Sequence, residues 1–145
     1  FLGCQEGYEV QQADAEQAYI QATLKGPETW VQLPPEHWTD EMKKMQRPVV
    51  RLRLALYGHP DAGGYWEKHY ETHLQTIGWD QVPGWRSCFR NKKHNTTLTV
   101  YVDDCKMSGT RENCAKADIH YMLRINTMVE MVVADVSYMI TTSTE

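Results

Sequence analysis

The stretch TTLTVYVDDCKMSG, residues 96–109, restricts the fold more than any other part of the chain. Its β-branched and aromatic residues alternate with polar ones until two adjacent aspartates, Asp103 and Asp104, interrupt them. That pattern predicts two strands joined by a tight turn, because period-two alternation gives a strand one apolar face and aspartate is tolerated in turns. If Val100 and Val102 face a core, Tyr101 and Asp103 face the opposite side and Asp104 sits at the turn. The strand then delivers carboxylates to a surface. Two adjacent carboxylates repel unless a cation or water separates them, so a hard divalent ion such as magnesium is their natural partner. A magnesium centre usually requires a further carboxylate together with substrate phosphates. The best candidate is Asp14, at the end of the predicted strand YEVQQAD. Taken alone, paired aspartates at a hairpin tip are more often a solvated turn.

The rest of the chain alternates short β-prone runs with helical ones, which predicts a mixed α/β layer architecture in the order β-α-β-α-β-α-β-β-α-β. AEQAYIQATL reads as a short helix or turn-rich segment stopped by Gly26-Pro27, and TWVQLP as a brief strand. Thr39 is placed to cap a helix that Pro48 ends. VVRLRLALYG alternates as a half-buried strand. A further helix is expected from about Ala62 to Ile77, with Trp66, Tyr70, Leu74 and Ile77 at helical spacing and Gly78 as its stop. A Pro-, Gly- and Asn-rich loop should follow it. After the acidic hairpin, Thr110 should cap a last helix running to about Arg124, and MVEMVVADVSYMITT reads as β-rich.

With 145 residues and 41% hydrophobic content the chain can bury one core, so a single domain over residues 1–145 is expected. Five tryptophans and eight tyrosines exclude a disordered segment. A net charge of -4 argues against a stand-alone nucleic-acid binder, although Lys43, Lys44, Arg47, Arg51 and Arg53 form one basic group and Arg86, Arg90, Lys92 and Lys93 another. Cys4, Cys88, Cys105 and Cys114 lack CxxC spacing and read as reduced thiols of an intracellular protein. The sequon Asn95-Thr96-Thr97 reads as a turn. No run approaches the roughly 20 apolar residues of a membrane span. The chain opens at Phe1 rather than at a methionine, and the expectation is an excerpt of a longer polyprotein.

Three motifs in order carry a resemblance: YVDD, ADAEQAYIQATL and LALYGHPDAGGYWEKHYETHLQTIGW. The first resembles the YxDD box of reverse transcriptases. The second is similar to their first palm motif, in which an aromatic follows an aspartate by five residues, and the third resembles the LYGLKQxPRxWY stretch of copia-type (Ty1/copia) retrotransposon polymerases. The resemblance covers about Val10 to Gly109.

It implies a polymerase palm-like antiparallel sheet packed on helices, with partial fingers. The implied activity is RNA-directed DNA polymerase, by two-metal nucleotidyl transfer to a primer 3′ hydroxyl. Asp14, Asp103 and Asp104 would be the catalytic and metal-binding carboxylates, with two Mg2+ ions that Mn2+ can replace. Tyr19 falls where the family keeps an aromatic under the incoming sugar, favouring deoxynucleotides; from the residues alone it reads as a core ring. Tyr101 matches the tyrosine at the primer end, and Asp61 stands where the family has a nucleotide-contacting glutamine. The implied partners are an RNA or DNA template with primer, deoxynucleoside triphosphates, and integrase and RNase H domains of a polyprotein, without a membrane. The implied location is a cytoplasmic particle or the nucleus. The chain departs from the pattern at Asp61, at Gly63 and Gly64, which replace Pro-Arg, and in its tail.

Two rivals remain at this point. A catalytically inactive transposon relic or interaction module could keep the palm fold. A zinc protein is suggested by His69 and His73, one turn apart on a helix with Glu71 between them, but the metalloprotease pattern needs Glu where Tyr70 stands.

Overall fold

The computed structural model describes residues 2–119. Its elements in chain order are β1 (Tyr8–Asp14), β2 (Trp30–Val31), β3 (Val50–Arg51), α1 (Ala62–Thr76), β4 (Asp80–Val82), β5 (Trp85–Asn91), β6 (Thr96–Tyr101), β7 (Asp104–Thr110) and α2 (Arg111–Ala117). Strands β4 to β7 form three consecutive hairpins, and β1 returns to the far side of β7, giving an antiparallel sheet in the order β1-β7-β6-β5-β4. The fold is thus a mix of strands and helices, as the alternating runs led one to expect, and its sheet is antiparallel, as the resemblance implied.

Alternation along the strands sends one set of side chains to the helices and the other to solvent. Phe89, Leu98, Val100, Cys105, Met107 and Ala13 lie buried with Trp66, Tyr70 and Leu74 of α1 and Cys114 of α2 in one core. On the opposite face Gln12, Asp14, Thr99, Tyr101, Asp104 and Lys106 are exposed. Gly78, at φ 85°, closes α1 in the left-handed conformation that glycine accepts without penalty. Thr110 caps α2 through a bond its side chain accepts from Asn113 N at 3.3 Å.

Several expectations are corrected. Only a 3₁₀ turn, Met42–Lys44, forms after Thr39, although the Thr39 hydroxyl does accept from Met42 N at 3.3 Å. Met45, extended at φ -95° and ψ 151°, ends the turn well before Pro48. The AEQAYIQATL segment is turn-rich as read, with a 3₁₀ turn at Tyr19–Gln21. The strand read at VVRLRLALYG shortens to Val50–Arg51, with Leu54 and Leu56 exposed and Ala55 buried, because its partner is an irregular ribbon held at Leu52 N to Thr29 O, Leu24 N to Arg53 O and Ala55 N to Ala22 O. The loop after α1 instead contains β4 and β5, turned through Pro83 and Gly84, whose φ is 81°. Pro followed by Gly at positive φ is the type II signature. Asn95 lies in the turn between β5 and β6, as read. The four cysteines are free. The end of the last predicted helix and the β-rich tail lie outside the described residues.

The basic groups are partly neutralised at the surface. Lys43 pairs with Asp40, Arg51 with Glu28 and Lys92 with Asp80. Among the described residues no helix is long and apolar enough to cross a membrane.

Candidate catalytic site

The acidic hairpin differs from its sequence reading by one position. Tyr101 pairs directly with Asp104, so the loop of the β6–β7 hairpin is Val102-Asp103 and Asp104 is the first residue of β7. Val102 consequently leaves the core face and is 37% exposed, while Val100 stays buried. Asp104, not Asp103, shares the open face with Tyr101. On its other side Asp104 is the register partner of Asp14, the last residue of β1. Asp14, Asp104 and Tyr101 therefore form one row across three adjacent strands.

The type of pairing brings the first two close. Ala15 N donates to Asp103 O at 2.8 Å, which makes Ala15 and Asp103 a hydrogen-bonded pair and the neighbouring Asp14 and Asp104 a non-hydrogen-bonded one. In such pairs the Cα atoms stand only about 4.5 Å apart and the side chains are at their closest. Both carboxylates are exposed, and Gln12 Nε2 reaches diagonally to Asp104 Oδ1 at 3.4 Å. Asp103, half-buried, occupies the turn beside them.

Cys105 lies beneath the group. Its thiol is pushed up to about 12, first by burial and then by the negative charge of Asp104, Asp14 and Asp103. Tyr57 reports on the same charges from above. Although 59% of this residue is exposed, partial burial is the largest cause that raises its hydroxyl, followed by Asp103, Tyr19 and Asp14. Its ring centroid is 4.3 Å from that of Tyr19. The two tyrosines thus form an aromatic step next to the carboxylates, with Tyr19 also packed against the core.

Among the described residues no group of three or more His, Cys, Asp or Glu gathers closely enough to hold a metal ion. The three carboxylates all raise the Cys105 thiol but do not gather into such a cluster. What the strands present is a paired carboxylate edge, which fits magnesium, since that ion is usually held by one or two carboxylates with water and substrate phosphates completing its shell. Asp61 stands apart, exposed at the start of α1, without a side-chain bond to the helix end, its N–H donating to His59 Nδ1 at 3.2 Å. His69 and His73 lie one turn apart on α1 as read, but His69 stacks against Trp66 and burial lowers its basicity, with His73 adding to the effect.

Tyr57, Trp66 and Gln12 escaped the sequence reading as site residues. Tyr57 and Trp66 both lie inside the quoted LYG stretch, yet only the sheet register shows what they touch.

The chain matches, over residues 1–140, the family described as reverse transcriptase (RNA-dependent DNA polymerase). It is 28% identical over 116 residues to the Transposon Ty1-DR4 Gag-Pol polyprotein of Saccharomyces cerevisiae, covering 79% of this chain and 7% of that protein. Identity to the Transposon TyH3 Gag-Pol polyprotein of Saccharomyces cerevisiae is 28% over 116 residues, 79% of this chain and 6% of that protein. For the Transposon Ty1-GR3 Gag-Pol polyprotein, also of Saccharomyces cerevisiae, it is 26% over 130 residues, 86% of this chain and 7% of that protein. The chain thus spans less than a tenth of the length of these relatives. No solved structure matches it. With a family match across nearly its whole length and transposon polyproteins as relatives, the chain belongs to the reverse transcriptase (RNA-dependent DNA polymerase) family, in its copia-type branch.

Proposed function

We propose that the chain forms the catalytic palm of an RNA-directed DNA polymerase, with Asp14, Asp103 and Asp104 as its catalytic carboxylates. The observation that carries this is the direct cross-strand pairing of Asp14 with Asp104 at the open edge of the sheet, beside Asp103. Magnesium ions, when bound, supply charge neutralisation at the triphosphate and lower the proton affinity of the primer 3′ hydroxyl. Asp14 and Asp104 hold fixed negative charge at that edge. In this reading Tyr101 contacts the primer terminus, which its 76% exposure and its position next to Asp104 on the same face support. In this reading Tyr19 lies against the sugar of a deoxynucleotide, supported by its ring contact with Tyr57. The template, the deoxynucleoside triphosphates and the neighbouring polyprotein domains are partners in this reading.

Primer extension on a poly-rA/oligo-dT template, in a chain extended at both ends, tests it. Incorporation with Mg2+ or Mn2+ is expected, falling about a thousandfold in Asp14→Asn and in Asp104→Asn, the order of effect that several kcal/mol of transition-state charge stabilisation represents. Full activity of either variant rejects the assignment. Failure of the unaltered chain would leave an inactive relic that keeps the fold, a reading favoured by Asp61 in place of the glutamine.

A further inference from the structure

The turn that carries the acidic pair is built against its own sequence. Of its two loop residues only Val102 has a positive φ, 58°, which is the arrangement of a type II′ turn, where the first loop position favours glycine. A β-branched side chain at that φ is a rare and costly placement. Two restraints hold the loop in place. Trp66 Nε1 donates to Val102 O at 2.6 Å, and Ala15 N donates to Asp103 O at 2.8 Å. Trp66 is only 2% exposed, and its ring packs edge-on to Tyr70 with centroids 5.5 Å apart. It is a fixed anchor, not a side chain that follows the turn.

We propose that Trp66 is a positioning residue for the acidic hairpin: its indole N–H holds Val102 in the left-handed conformation and so sets how Asp103 and Asp104 leave the turn toward Asp14. The functional consequence rests on the reading of these carboxylates as the catalytic set. Glycine at 102 would take the same φ freely, so valine leaves the turn dependent on the indole. Trp66 touches no substrate in this scheme and acts only through the Val102 backbone.

The test uses hydrogen exchange and Mn2+ binding on the chain. Trp66→Phe keeps a ring and loses the donor. The Ala15 amide, bonded to the other loop carbonyl, is expected to exchange about tenfold faster relative to the amides of Leu98 and Met107. Adding Val102→Gly should return it to the unaltered rate. Mn2+ half-saturation, followed by electron paramagnetic resonance, should rise in Trp66→Phe and recover in the double variant. Unchanged Ala15 exchange in Trp66→Phe, or a uniform acceleration of core amides that Val102→Gly does not reverse, overturns the proposal. Val102→Gly alone keeps the tryptophan and should raise Tm; a lower Tm also overturns it. If exchange behaves as expected while the unaltered chain binds no Mn2+, the positioning role stands and the catalytic reading falls.

Discussion

Neutralising Asp14 should stabilise the metal-free protein. Asp14 and Asp104 face each other across a non-hydrogen-bonded pair on an exposed surface, so their carboxylates repel at about 5 Å through a water-like dielectric, an interaction worth about 1 kcal/mol. Asp14→Asn removes the repulsion and keeps the side-chain shape, and its amide can donate to Asp104. Urea denaturation without divalent ions should therefore show Asp14→Asn more stable by about 0.5–1 kcal/mol, with the gain shrinking as added salt shortens the screening length. Magnesium should reverse the order. An ion held with a Kd near 1 mM stabilises the unaltered chain by about 1.4 kcal/mol when present at roughly ten times that concentration, because it binds only the folded state. Asp14→Asn should gain little from the same addition. A variant that is less stable than the unaltered chain without metal, or that gains as much from magnesium, refutes the paired-carboxylate geometry.

Gly109→Ala should cost about 1–3 kcal/mol in urea denaturation, since its Cβ would meet Thr96 Cγ2 at 2.8 Å and Cys114 Sγ at 3.3 Å inside a filled core; unchanged stability would show that the β7–α2 contact is loose. Cys105, held at about 12 against an ordinary 9.0, stays a thiol in the folded chain while its unfolded counterpart ionises. The stability this gives is complete below pH 9 and is lost as pH rises toward 12, by up to about 4 kcal/mol. Maleimide at pH 8 should accordingly label Cys4 and spare Cys105 until urea unfolds the chain; early labelling of Cys105 would refute its burial.

The hairpin and α1 were legible in the sequence because each is specified locally. Alternation from Thr96 to Val100 and the four-residue spacing of Trp66, Tyr70 and Leu74 need no distant partner to be read. The exact loop was not legible, since Asp-Asp is the better turn pair by composition and only pairing with β1 and the Trp66 bond place Val102 there instead. Strands β4 and β5 were hidden by Pro83, Gly84 and scattered charges, although the Pro-Gly pair was itself a turn signal. Leu54 and Leu56 alternate as a strand should, yet the ribbon they join leaves them exposed, which is a tertiary outcome. Asp14 could be nominated from its place after a β-prone run, but its direct opposition to Asp104 depends on register, which sequence pattern does not specify.

Among the described residues β1 is an edge strand of its sheet, and it meets β7 across a separation of about 90 positions along the chain. Turning β6 back on β7 closes only a two-residue loop, whereas docking β1 costs roughly 3 kcal/mol more in closure entropy. The hairpin thus closes at a smaller entropic cost than the β1–β7 pairing that sets Asp14 opposite Asp104. The opposition of Asp14 and Asp104 therefore hangs on the long-range docking of one edge strand and cannot be made by the hairpin alone.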